Sequence, residues 1–127
     1  MQKSKTKNKK TNLIDGCELE NIFISPMMYE LICEESPKFD SESEELSGFI
    51  DVDYLTIHVK SSLPYQKKAV IILHEILHGM LMHTGLNLKE KDDEMYEHIV
   101  ESLSHSLFAL IRSNPKLIEY LQQKVYL

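Results

Sequence analysis

The stretch ILHEILHGMLMH, residues 72–83, carries two histidines and a glutamate at a spacing that can do metal chemistry. Residues four apart on an α-helix project from one face, so His74 and His78 can reach a single ion. Glu75 projects about 100° round from His74, too far to share the histidines' direction and suited to a water beside the ion. This is the HExxH arrangement. Two neutral histidines ligate zinc, and the carboxylate takes a proton from the water that attacks a carbonyl. The spacing assigns metal binding to His74 and His78, general-base catalysis to Glu75, and one Zn2+ as the cofactor.

With 6 His and 14 Glu among 127 residues, HExxH arises by chance in roughly 3% of shuffled chains. The pattern alone is therefore suggestive, and its surroundings decide. The flanking residues are apolar nearly all round the helix, and ionisable side chains there are costly to bury without partners. Three of them at ligand spacing are hard to explain as packing.

A catalytic zinc takes three protein ligands and an open position. The candidates for the third are His83, His98, His105, Glu94, Glu97 and Glu101. His83 lies about 140° round from His78 and is read as a surface or loop residue. Glu97 and Glu101 share a face of a later helix with Ser104 and Phe108. One of them can ligate while the other accepts the free N–H of a ligand histidine. His98 is expected to face solvent, and His105, about 40° from Glu101, can line the site and stabilise an oxyanion.

These residues need elements to position them. From Ser61 the pattern is helical, with Ser61 or Ser62 as cap, Pro64 in the first turn and Gly85 as the stop. Ala69, Leu73, Ile76, Leu77 and Met80 fall on one side of it and Val70, Ile71, Leu81 and Met82 flank the histidines, so the helix is expected to run through the middle of the domain. A polar loop, GLNLKEKDD, leads to a second helix over 93–112 with a stripe of Ile99, Val100, Leu103, Leu107 and Leu110. Asn114 caps a third, with Pro115 first and Leu117, Ile118, Leu121 and Val125 on one face.

Upstream, Asn21 to Cys33 reads as two short strands around Ser25-Pro26. The acidic stretch Glu34 to Ser47 reads as a solvated loop. From Gly48, Ile50 and Val52 alternate with acids, then the phase flips at Tyr54-Leu55 and Leu55, Ile57 and Val59 are apolar. A flip of this kind marks a tight turn, so a hairpin is expected with Thr56, His58 and Lys60 facing water or a ligand. Strands followed by helices indicate an α+β fold, a small antiparallel sheet of about three to four strands packed on about three helices, with HExxH on the central one.

One domain fits 127 residues, so a single active site is the most to look for. A net charge of −6 argues against a nucleic-acid-binding surface. Residues 1–16 are read as a disordered basic tail and 17–127 as one domain. The tail lacks the apolar segment of a signal peptide, and the longest apolar run, Ala69 to Leu73, is too short for a membrane span. Cys17 and Cys33 are far apart and in no metal pattern, so they are expected to be reduced thiols in a cytoplasmic protein.

LHEILH, a loop, then EHIVESLSHSLF resembles the ImmA/IrrE-type zinc metallopeptidases, specifically their short phage-borne members. GFIDVDYLTIHV, followed by Leu63-Pro64 and two lysines, is similar to the hairpin that leads into their active-site helix. The similarity covers about Asn21 to Leu121. It implies a minimal zincin-like domain and, from a Glu-x-x-Ala-Asn/Asp-x-Phe-Ala pattern, a glutamate as third ligand. Setting Glu97 on that glutamate puts Val100 on the alanine and Glu101 on the Asn/Asp. Setting Glu101 there instead puts Ser104 and His105 on that pair. Glu97 is chosen because it keeps an acid behind the ligands, with Glu101 in reserve. The implied activity is hydrolysis of peptide bonds in an intracellular, repressor-like protein linked to phage or mobile elements. The alternative is a metal-containing regulatory module that binds a protein without turnover. The exposed edge of the Leu55 to Val59 strand is expected to pair with an extended substrate.

Overall fold

Period-2 alternation of apolar residues builds four strands in the computed structural model, which describes residues 14–84 and 93–124. Asn21–Ile24 (β1) and Met27–Glu34 (β2) flank Ser25-Pro26 and pair antiparallel, Ile22 opposite Tyr29. Gly48–Asp51 (β3) and Thr56–Lys60 (β4) form the expected hairpin, Phe49 opposite His58. At its turn the Asp51 carboxylate accepts the N–H groups of Asp53 at 3.0 Å and Tyr54 at 3.1 Å, and Leu55 takes a φ of 57°. That left-handed residue is where the alternation changes phase.

The sheet is mixed, in the order β1-β2-β4-β3, because β4 lies parallel to β2 with Leu31 opposite Ile57. This corrects the expected antiparallel sheet. Residues 35–47 carry the chain past the end of the sheet to its far edge, so the returning arm of the hairpin fills the place beside β2 and runs the same way. The Leu55 to Val59 strand is therefore interior, and the free edge of the hairpin is β3. On the face away from the helices, His58 stacks on Phe49 with centroids 4.1 Å apart and hydrogen-bonds Glu34, so it is half-buried where a surface position was expected.

The other face carries the core: Ile24, Tyr29, Leu31, Ile57 and Val59, closed by Ile72 of the first helix. That helix, Tyr65–His83 (α1), begins at Pro64 with no side-chain cap. The serines expected to cap it do not, because the Ser61 N–H extends the β2–β4 ladder to the Glu34 carbonyl at 2.9 Å. The innermost residues of α1 are Lys68, Ile72, Glu75 and Gly79, one position round from the apolar side formed by Ala69, Leu73, Ile76 and Met80, and Met80 is exposed. Gly79 permits this rotation. A Cβ there would stand 2.9 Å from the Ile50 Cδ1 and 3.1 Å from the Ile24 Cδ1, so the bare backbone seats the helix on the sheet. Buried Lys68 is neutralised by Asp15, and Asp15 caps a short 3-10 helix, Gly16–Glu18.

Asp93–Ser113 (α2) packs on α1 and on Pro115–Leu121 (α3). The layers are thus sheet, α1, α2. Contact with α1 alone buries a single line of α2 spaced by four, Tyr96, Val100 and Ser104. Of the expected stripe Val100 is buried, whereas Ile99, Leu103 and Leu110 are 37–49% exposed, since no sheet reaches them. Asn114 occupies the cap position of α3, but its side chain donates to the Leu110 carbonyl at 2.8 Å instead of capping.

Cys17 and Cys33 are joined as a disulfide with Cα atoms 5.6 Å apart. This corrects the expectation of separate thiols: the 3-10 helix folds back onto β2 and brings the pair together. The cytoplasmic assignment, which rested on reduced thiols, loses that support. Most of the basic tail, the loop 85–92 with its helix stop Gly85, and Val125 lie outside the described residues. The end of the expected tail, Asp15 and Gly16, is part of the 3-10 helix and its cap. No helix among the described residues is long and apolar enough to cross a membrane.

Candidate metal centre

Because α1 sits on the sheet along Lys68, Ile72, Glu75 and Gly79, His74 and His78 are turned aside, toward α2. The two helices run antiparallel, so positions 74 and 78 face 101 and 97. The Nε2 atoms of His74 and His78 stand 3.1 Å apart. The Glu97 carboxylate closes the triangle, Oε1 lying 3.4 Å from the His74 Nε2 and Oε2 3.2 Å from the His78 Nε2.

Those three separations test the fit to a metal. Tetrahedral zinc with bonds of 2.0–2.1 Å places neighbouring ligand atoms about 3.3 Å apart. His74, His78 and Glu97 offer one ligand atom each within 4.8 Å of one another, a group that can hold a metal ion. Nitrogen and carboxylate donors suit zinc, and other first-row divalent ions bind similar sets.

The rings are gripped from behind. The His74 Nδ1 lies 2.8 Å from the Glu101 Oε1. An ionised carboxylate only accepts, so Nδ1 donates and Nε2 keeps its lone pair for the centre. The His78 Nδ1 lies 2.8 Å from the Tyr96 hydroxyl, which orients the second ring. Tyr96 was missed in the sequence. Its signal was its position four residues before Val100, on the buried line of α2 and next to Glu97.

Glu101 also reaches His105, whose Nε2 is 3.0 Å from its Oε2. His105 is exposed and adjoins the centre through Glu101, with its ring nitrogen engaged by that carboxylate. Glu94 and His98 are exposed on α2 and outside the group. His83 ends α1 half-buried, its Nε2 2.7 Å from the hydroxyl of buried Tyr29, so it serves the core where a surface role was expected.

Glu75 is buried one residue beyond His74, and burial, reinforced by the charges of Glu97 and Glu101, pushes its carboxyl up to about 8. Burial, then Glu97 and Glu75, likewise pushes the Tyr96 hydroxyl up. For Glu101, burial works in the raising direction, but hydrogen bonds from His105 and His74 outweigh it and hold the carboxyl below its ordinary value. The Glu97 carboxylate meets the two imidazole Nε2 atoms, with the Glu75 and Glu101 carboxyl groups close by, an arrangement that a divalent cation would relieve. No family model, curated protein or solved structure matches the chain.

Proposed function

We propose that the chain is a zinc-dependent endopeptidase, related to the ImmA/IrrE-type enzymes it resembles and acting on a repressor-like protein. The observation that carries this reading is the approach of the His74 Nε2, the His78 Nε2 and the Glu97 carboxylate, whose Oε1 and Oε2 lie 3.4 and 3.2 Å from the two nitrogens, with both Nδ1 atoms held from outside. His74, His78 and Glu97 hold the metal. Glu101 and Tyr96 fix the rings so that the lone pairs stay aimed inward. Bound there, zinc supplies Lewis acidity that polarises the scissile carbonyl.

Glu75 accepts a proton from the water that attacks the carbonyl and later passes it to the leaving amine. A raised carboxyl suits that exchange, because its affinity for the proton is close to balanced near neutral pH. Glu101 keeps His105 beside the centre, where its ring can meet negative charge on the carbonyl oxygen.

The backbone of the substrate pairs with β3, in place of the strand first expected. Lys60 N–H donates to the Ser47 carbonyl at 2.8 Å. Alternation along the ladder then turns the N–H and C=O of Gly48 and Ile50 away from β4, to the free edge above α1.

The test is hydrolysis of an unfolded protein by chain purified with one equivalent of zinc. Cleavage should stop on chelation and return with zinc. A zinc-loaded chain that binds a partner without cutting any peptide would favour the regulatory module instead.

A further inference from the structure

A cleft of about 850 Å³ runs along the seam of α1 and α2 and adjoins the metal centre through Glu101, the acid hydrogen-bonded to the His74 Nδ1. Glu101 and His105 stand at its near end. Val70 and Ile71 of α1 and Phe108 of α2 line its middle, and Lys67 and Arg112 stand at its far end. The far end is built: the Arg112 guanidinium carbon lies 5.3 Å from the centroid of the Phe108 ring, which meets Tyr65 edge-on at 6.2 Å. The cleft is thus acidic at the centre, apolar in the middle and cationic at the far end, in a chain whose net charge is −6.

Helix rise converts this polarity into a distance. Lys67 is about 10 Å from His74 along α1, and Arg112 about 16 Å from Glu101 along α2. An extended peptide advances about 3.3 Å per residue, so the cations fall about three to five residues from a bond held at the metal centre.

We propose that this cleft selects substrates with an apolar side chain beside the scissile bond and an acidic side chain three to five residues away on one side. The apolar residue packs against Val70, Ile71 and Phe108, and the carboxylate meets Lys67 and Arg112. An acid next to the bond is disfavoured, because Glu97 and Glu101 already place negative charge there. The selection rests on the peptidase reading, but the cleft also binds the same peptides without turnover.

The test uses blocked alanine peptides with one leucine and a single Glu, Gln or Lys placed at each of six positions on either side. Zinc-loaded wild type is assayed for cleavage, and the zinc-loaded Glu75→Gln chain for binding of fluorescein-labelled copies by anisotropy. Glu three to five residues out on one side should raise kcat/KM and affinity about tenfold over Gln, with Lys worst. Glu beside the bond should lower both. Arg112→Glu combined with Lys67→Glu should invert the ranking. Lys67→Glu alone, on an exposed first-turn residue, should weaken it with the fold intact. Equal ranking in wild type and the reversed chains, or acid preference at every position alike, would overturn the proposal. Absence of cleavage with the ranking retained in anisotropy would overturn the peptidase reading and leave the cleft's preference standing.

Discussion

Glu101 stands behind His74: its Oε1 is 2.8 Å from the ring's Nδ1, on the opposite side from the Nε2 that faces His78 and Glu97. The two acids of α2, four residues apart, therefore meet one histidine on two different nitrogens. Removing a partner of this outer kind costs about 10–100-fold in metal affinity. Glu101→Ala should lower zinc affinity by that amount, and Glu97→Ala should lower it further. Competition against a fluorescent chelator measures both, and the reverse order would make Glu101 the third ligand.

Tyr96→Phe isolates the grip on the second histidine. The ring stays to fill the buried line of α2, while the hydroxyl 2.8 Å from the His78 Nδ1 is lost. Zinc affinity should fall about tenfold with little loss of thermal stability. An unchanged affinity would mean that packing alone holds the ring.

The spacing of His74, Glu75 and His78, the hairpin from Gly48 and the three helices were all legible in the sequence because each is a local periodicity. What was not legible depended on contacts distant in the chain. Nothing in residues 35–47 signals that the hairpin arrives from the far side and leaves β4 between β2 and β3. The rotation of α1 is set by Gly79 meeting Ile24 and Ile50, residues on two separate strands. That rotation puts Lys68 and Glu75 inward, against their polarity: Asp15 neutralises the lysine, whereas burial and the charges of Glu97 and Glu101 raise the glutamate's carboxyl to about 8 and so favour its uncharged form. On α2 the apolar residues outnumbered the places available to bury them, so the sequence pattern named Ile99 and Leu103 where the structure uses Tyr96 and Ser104.

The Glu75 carboxyl links pH to stability in the zinc-free protein. Its folded value of about 8 is above that of the unfolded chain, near 4.5. The folded state therefore binds the extra proton between those values, and stability falls as pH rises through that window. Zinc-free wild type should lose roughly 5–10 °C of Tm between pH 5 and pH 8, and Glu75→Gln should lose less. Calorimetry at the two pH values checks it. Equal losses would place the pH dependence on other groups.

Gly48 tests the seating of the β3 edge. A Cβ there would meet the Ile71 Cγ2 at 2.6 Å and the His58 carbonyl oxygen at 2.8 Å, and the carbonyl belongs to the neighbouring strand's backbone. Gly48→Ala should destabilise the fold by about 1–3 kcal/mol. If β3 receives substrate, it should also raise KM more than it lowers kcat. Denaturant unfolding together with steady-state kinetics separates the two effects, and a neutral substitution would show that β3 moves freely.

The most direct measurement compares wild type with Glu75→Gln, both carrying one zinc, against a random peptide library read by mass spectrometry. New amino termini should appear with wild type and be absent with the variant, while the zinc content of the two stays equal. Equal cleavage by both chains would contradict the assignment of Glu75, and products from neither would contradict the enzyme.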